Sequence, residues 1–296
     1  MAKSFKELTF RDRFMFGQVM SDPEICREVL ETLLGEKIGK LTSIEVEKAL
    51  QYSADGKPIR LDILTKDDEQ DTYYDTEMQN RNHHSNEELA LGKRSRYYQA
   101  IIDSVSVEEK KPYRSLSDLN VIFICTFDPF GKGRPRYTFQ NRCDEDHGIC
   151  LEDGVRKIFY NTTAEEDVHP EGIRSLYTYI ETGTVTSQLT ERIEERVKTI
   201  RSREDIEVGY WSMNAALQDE RFFGEKEGLE KGREIGRKEG RKEGREEGVV
   251  LGEKKLLDLQ GWLISQGRME DVTRSINDPV YREELYREKD GQNNLR

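Results

Sequence analysis

The chain has 296 residues, 36% of them charged and 34% hydrophobic, with a formal net charge of -12. That length permits one sizeable core with appendages, and the charge content excludes folding the whole chain into it, so part of the length is expected as solvated helix or linker. MAKSFKELTF opens without an apolar stretch and no window approaches about 18 consecutive apolar residues, so neither a leader nor a membrane span is expected. The cysteines Cys26, Cys125, Cys143 and Cys150 are sparse, which suits reduced thiols in a cytoplasmic protein. Cys143, His147 and Cys150 lie close together, yet the fourth ligand of a structural zinc site is missing nearby.

Residues 22–35 read as a helix, with Asp22 as its cap, Pro23 in its first turn, Ile25, Val29, Leu33 and Leu34 on its apolar face, and Gly35 at its end. Three strands follow, at 42–50, 59–65 and 72–79. The turn signal Asp55-Gly56-Lys57 and the polar run 67–71 separate them. Such short links favour an antiparallel meander, because a parallel pair needs a longer crossover. Residues 86–103 carry Leu89, Lys93, Tyr97 and Ile101 at helical spacing. VIFICTF at 121–127 is a near-continuous apolar run, the mark of a buried central strand. Further strands are expected near 136–142 and 156–162, and helices from about 169, where Leu189, Ile193, Val197 and Ile200 form a stripe.

Glycine recurs every fourth residue from Gly224 to Gly252, among Glu, Lys and Arg. Each glycine costs about 1 kcal/mol of helix stability, so this segment is expected as a marginal charged spacer. It is also a candidate for pairing with a second copy of the chain. LISQGRMEDVTRSI in the tail has the outline of a helix-turn-helix, but its acidic surroundings do not suit DNA reading.

Asp62 lies on the second strand, and Glu77 and Gln79 on the third. Alternation points Glu77 and Gln79 to one face, and an adjacent antiparallel strand brings Asp62 beside them. Acids on strands usually face solvent, whereas Asp62 sits inside IRLDIL among large aliphatic residues. Oxygen donors of this kind suit Mg²⁺ or Mn²⁺, hard cations that bind through one or two carboxylates and retain water. Such a metal can polarise a phosphate and lower the pKa of water.

The order helix, three strands, helix, strand, with IRLDIL at 59–64 and DTEMQNR at 75–81, resembles the PD-(D/E)XK nuclease core. With FRDRFMFGQVMSDPE at 10–24, KRSRYYQAIID at 93–103 and the glycine-charged tail, the chain resembles the recombination-promoting nuclease/putative transposase family over nearly its whole length. The resemblance implies a Mg²⁺- or Mn²⁺-dependent DNA endonuclease linked to recombination, transposition or defence against foreign DNA. Asp62 and Glu77 would bind the metal, and Gln79 would stand where the superfamily has its lysine. Glutamine supplies no positive charge. Glu28 or Glu31 on the first helix is a candidate further ligand.

The net charge is an average; what matters for DNA is local clustering. Arg94 and Arg96, followed by Tyr97 and Tyr98, are candidate phosphate and base contacts, with core packing the alternative for Tyr97. Lys132, Arg134, Arg136 and Arg142 form a second acid-free cluster. The expected organisation is an α/β nuclease core over 1–165, a helical extension over 166–223, the spacer at 224–252 and a small helical tail at 253–296. Two other functions remain open: a nuclease-like fold that binds DNA or protein without cutting, and an assembly scaffold acting through the tail.

Overall fold

The computed structural model describes residues 3–51, 57–80, 90–106, 112–165 and 171–293. The expected turn at Asp55-Gly56 and the start of the helix expected from 86, with Leu89, lie outside these residues. The chain divides into two compact units, 1–214 and 215–296. No helix among the described residues is long and apolar enough to cross a membrane.

The first unit is mixed α/β, built on a six-stranded sheet in the order β1-β2-β3-β4-β6-β5. The strands are β1 (Leu41–Leu50), β2 (Ile59–Asp67), β3 (Thr72–Gln79), β4 (Asp118–Cys125), β5 (Arg136–Phe139) and β6 (Val155–Asn161). The short links leave β1, β2 and β3 antiparallel. Helix α3 (Leu91–Ser106) lies in the long connection after β3, and β4 pairs parallel with β3 and with β6. The central VIFICTF run is buried throughout, because both faces of β4 are covered.

One face of the sheet carries α1 (Arg13–Met20), α2 (Pro23–Leu34), α4 (Glu171–Thr182) and α5 (Gln188–Arg201); their apolar sides share a core with Ile63, Tyr74, Ile122 and Tyr160. Asp22 caps α2 by accepting from Glu24 N–H and Ile25 N–H, and Gly35 ends it at φ 73°, where glycine carries no Cβ penalty. Helix α1 was not among the expected elements. It packs tightly on β1: a Cβ on Gly17 would lie 2.7 Å from Val46 Cγ1.

The other face carries α3. Its buried side is Leu91, Ser95, Tyr98, Ile101 and Ile102, so the apolar stripe expected through Lys93 and Tyr97 is displaced by one position. Lys93 is exposed and Tyr97 half-buried at the rim.

The second unit holds most of α6 (Glu204–Ser265), together with α7 (Met269–Asn277) and α8 (Pro279–Asn293). Its small core gathers Leu259, Leu263 and Leu285 with Trp262, Val272, Tyr281 and Tyr286 around it. The glycine repeat lies inside α6. Exposed pairs such as Glu234–Lys238 and Glu246–Lys242, at 2.7 and 4.0 Å, offset only a fraction of the glycine cost.

Candidate functional site

Regular alternation along β2 breaks at Asp62. Ile59 and Leu61 pack under α3, Ile63 packs on the opposite face, and Leu64 returns to the α3 side. The cause lies on the neighbouring strand. Glu47 takes a left-handed φ of 52°, and the β1–β2 register passes from Val46↔Ile63 to Lys48↔Leu61 without a pairing at Glu47. Such a backbone is uncommon for a residue with a side chain, and it kinks the strand. Asp62 is thereby held at the kink, only 3% exposed.

The β2–β3 ladder stops at Ile63↔Thr76. Beyond it the two acids replace the missing rungs. Asp62 N–H donates to Glu77 Oε1 at 2.8 Å, and Met78 N–H donates to Asp62 Oδ2 at 3.0 Å. Each carboxylate thus satisfies the other strand's backbone, which fixes both with little freedom. Two arginines flank the pair. Arg13 Nε lies 2.5 Å from Asp62 Oδ1 and 2.9 Å from Glu47 Oε1. Arg94 Nη2 lies 3.5 Å from Glu77 Oε2, while its Nη1 donates to Gln79 Oε1 at 2.7 Å.

Asp75, Glu77 and Gln79 share one face of β3 by alternation. Asp75 is fully buried, and neither carboxyl oxygen has a hydrogen-bond partner among the described residues. Burial pushes Asp62 up to about 6 against the pull of Arg13. Burial and the neighbouring Asp62 charge hold Asp75 and Glu77 well above the usual carboxylate range. Three buried carboxyls therefore face two guanidiniums, and one of those is shared with Glu47. A buried excess of acid over base is costly unless protons or a cation neutralise it.

The donor set fits a small hard cation. Among the described residues no three His, Cys, Asp or Glu side chains converge in metal-ligand geometry, whereas Mg²⁺ commonly takes only one or two protein carboxylates and keeps its waters. Asp62 and Glu77 would supply those two.

Arg13 and Arg94 stand between the pair and a cleft of about 560 Å³, which they line together with Lys57, Arg60, Lys93 and Tyr97. A roomier cleft of about 700 Å³, reached by Tyr74, Asp118 and Arg156, lies at the opposite ends of β3 and β4. Its Arg156 is tied to Glu36 and Asn120. The smaller cleft lies toward the carboxyl ends of β3 and β4, where ligands of open α/β sheets characteristically bind.

The sequence-derived candidates separate accordingly. Asp62, Glu77, Gln79 and Arg94 come together, and Tyr97 lines the cleft while its hydroxyl donates to Lys57 O at 2.7 Å. Arg96 does not join them: two residues on from Arg94 it points about 200° away around the helix and is exposed outside the cleft. The cluster Lys132 to Arg142 also stands apart, because it flanks β5 at the sheet edge opposite β1 and β2. Glu28 pairs with Arg192 of α5, and Glu31 accepts from Ile38 N–H at 3.1 Å, so neither turns toward Asp62. Arg13, Glu47, Arg60 and Asp75 were not foreseen. Only Asp75 left a signal, sharing the odd-numbered face of β3 with Glu77 and Gln79.

Arg13 occupies the oxygen of Asp62 that a metal would need. Arg13→Ala is expected to tighten Mn²⁺ binding by about tenfold, or about 1.4 kcal/mol. The titration belongs near about pH 8, where proton competition is small. Unchanged or weaker binding would show that Arg13 and the cation do not compete. No protein-family model, curated protein or solved structure matches the chain.

Proposed function

We propose that the first unit is a metal-dependent DNA endonuclease with a PD-(D/E)XK-like core, acting in recombination, transposition or defence against foreign DNA. The observation that carries this reading is the buried Asp62–Glu77 pair directly behind Arg13 and Arg94, two of the residues that line a cationic, tyrosine-bearing cleft. A Mg²⁺ or Mn²⁺ held by these carboxylates supplies Lewis acidity toward a phosphoryl oxygen and lowers the pKa of water. The chain's own groups do the rest. Lys57, Arg60 and Lys93 offer phosphate contacts along the cleft, and the Tyr97 ring offers a face to a sugar or base. Cleavage of supercoiled plasmid by the full chain in Mg²⁺ or Mn²⁺, suppressed by chelator, is the expected result; intact plasmid in both metals would refute it.

The contact of Arg13 with Asp62 supports a second reading, a nuclease-like fold that holds DNA without cutting it. Retention of plasmid without nicking, insensitive to metal, would favour it.

Binding to an unrelated duplex, measured in Ca²⁺ to prevent turnover, should weaken with salt by about 0.9 in log K per log salt for each phosphate contact. Reversing Arg60 and Lys93 to glutamate should lower affinity at least about tenfold and reduce that slope by about two. Arg96→Glu, outside the cleft, should change it by less than about threefold. Equal losses from Arg96 and from the cleft residues would displace the binding surface from the cleft.

A further inference from the structure

Phosphodiester hydrolysis joins a water oxygen to phosphorus and breaks one P–O ester bond. The proton given up by the water ends on the leaving oxygen. Negative charge gathers on the non-bridging oxygens and the leaving oxygen on the way, and stabilising it requires positive charge or hydrogen-bond donors at that point. Asp62, Asp75 and Glu77 are acids, and the Gln79 amide carries no charge. Arg13 is held between Asp62 and Glu47. Lys57, Arg60 and Lys93 line the cleft, but no ion pair links them to Asp62 or Glu77 among the described residues.

Arg94 is differently placed. Its guanidinium lies over the rings of Tyr98 and Phe123, at 5.4 and 5.5 Å from their centroids. Gln79 Oε1 accepts from Nη1 at 2.7 Å, Tyr98 Oη accepts from Nη2 at 3.0 Å, and Glu77 Oε2 lies 3.5 Å from Nη2. The group is therefore fixed in plane and position, yet its side chain stays 32% exposed and lines the cleft. A guanidinium has five N–H donors, and these contacts use three of them. It does not lose its proton, so it acts as a fixed charge and donor fork and not as a base. Gln79 suits the anchoring task because it accepts a hydrogen bond without neutralising the cation, as a glutamate there would.

We propose that Arg94, oriented by Gln79, is the cation that stabilises the charge developing on the scissile phosphate. The inference rests on the nuclease reading and adds a role for two residues that the metal pair does not include. Arg94→Ala should lower kcat by about 10²–10³-fold with KM for DNA within about threefold. Placing a cation on the strand instead, by Gln79→Lys in the Arg94→Ala background, should recover at least about tenfold of that loss. Two further readouts separate catalysis from scaffolding and from simple anchoring: thermal unfolding, and affinity for a duplex in Ca²⁺.

The expected result is a large, lysine-rescued loss in kcat with duplex affinity within about threefold. Arg94→Ala cleaving like the native chain would overturn the proposal and leave the nuclease reading intact. A loss that lysine does not rescue, with a lowered unfolding temperature, would make Arg94 a structural pillar and overturn it too. Collapse of Ca²⁺-supported binding would make it a phosphate anchor, with the same consequence. Absence of cleavage by the native chain in both Mg²⁺ and Mn²⁺ would overturn the nuclease reading and this inference with it.

Discussion

Glu77→Gln is expected to abolish cleavage and to raise the unfolding temperature of the metal-free first unit. Glutamine keeps the Oε1 acceptor used by Asp62 N–H, so this link between β2 and β3 survives. What disappears is the charge proposed to bind the metal. Cleavage should fall at least about a thousand-fold, roughly 4 kcal/mol of transition-state stabilisation. The substitution also removes an acid that burial and the Asp62 charge hold well above the usual carboxylate range, and with it the cost of keeping that group in the fold at neutral pH. A gain of about 1 kcal/mol raises the midpoint of a unit this size by roughly 2–4 °C. Gain of stability with loss of function marks a residue retained for chemistry. Loss of both would mark Glu77 as structural, and retained cleavage would remove it from the site. Asp62→Asn should show the same loss of cleavage.

The second large effect is a pH dependence opposite to that of ordinary salt-bridged acids. The Asp62 carboxyl, pushed up from 3.8 to about 6, keeps its proton in the folded chain at pH values where the unfolded chain has lost it. Between these values the native state binds more protons, so stability falls as pH rises. At about 1.4 kcal/mol per pH unit, the span from 3.8 to about 6 amounts to roughly 3 kcal/mol. The loss is complete above about pH 6. Asp75 and Glu77 shift in the same direction and carry the window upward. A divalent cation reverses the trend, since binding expels these protons. Unfolding midpoints of the native chain and of Asp62→Asn, followed from about pH 4 to about pH 8 in chelator and in Mg²⁺, should show it. In chelator the two should diverge as pH rises, and Mg²⁺ should close the gap for the native chain. Parallel curves in both conditions would mean that Asp62 titrates normally.

The sequence made β2, β3 and β4 legible because their signals are local: polar turns between alternating runs, and a run buried on both faces. Helix α1 escaped because RFMFGQVM is short, carries Gly17, and buries Met15, Phe16, Val19 and Met20 over most of its circumference. Without a polar face, helical periodicity is faint. Its Asp12 accepts from Thr9 instead of capping the helix, so the start signal was lost as well.

The site divides in the same way. Asp62, Glu77 and Gln79 follow from adjacency of two neighbouring strands. Arg13 and Glu47 arrive through the kink at Glu47, and no local pattern announces a left-handed residue inside a strand. Arg96 enters beside Arg94 as a candidate because the two are close in sequence, although helix geometry separates i from i+2. The displacement of the Lys132 to Arg142 cluster was not, because it depends on β5 taking the far edge beyond β6.

The central claim is that Asp62 and Glu77 form a divalent-cation site, and calorimetric titration of Mn²⁺ into the full-length chain tests it most directly. The account predicts one saturable site, progressively weakened by acid as protons compete, and absent in Glu77→Gln. Equal binding by the native chain and Glu77→Gln, or no binding by either at any pH, would contradict it.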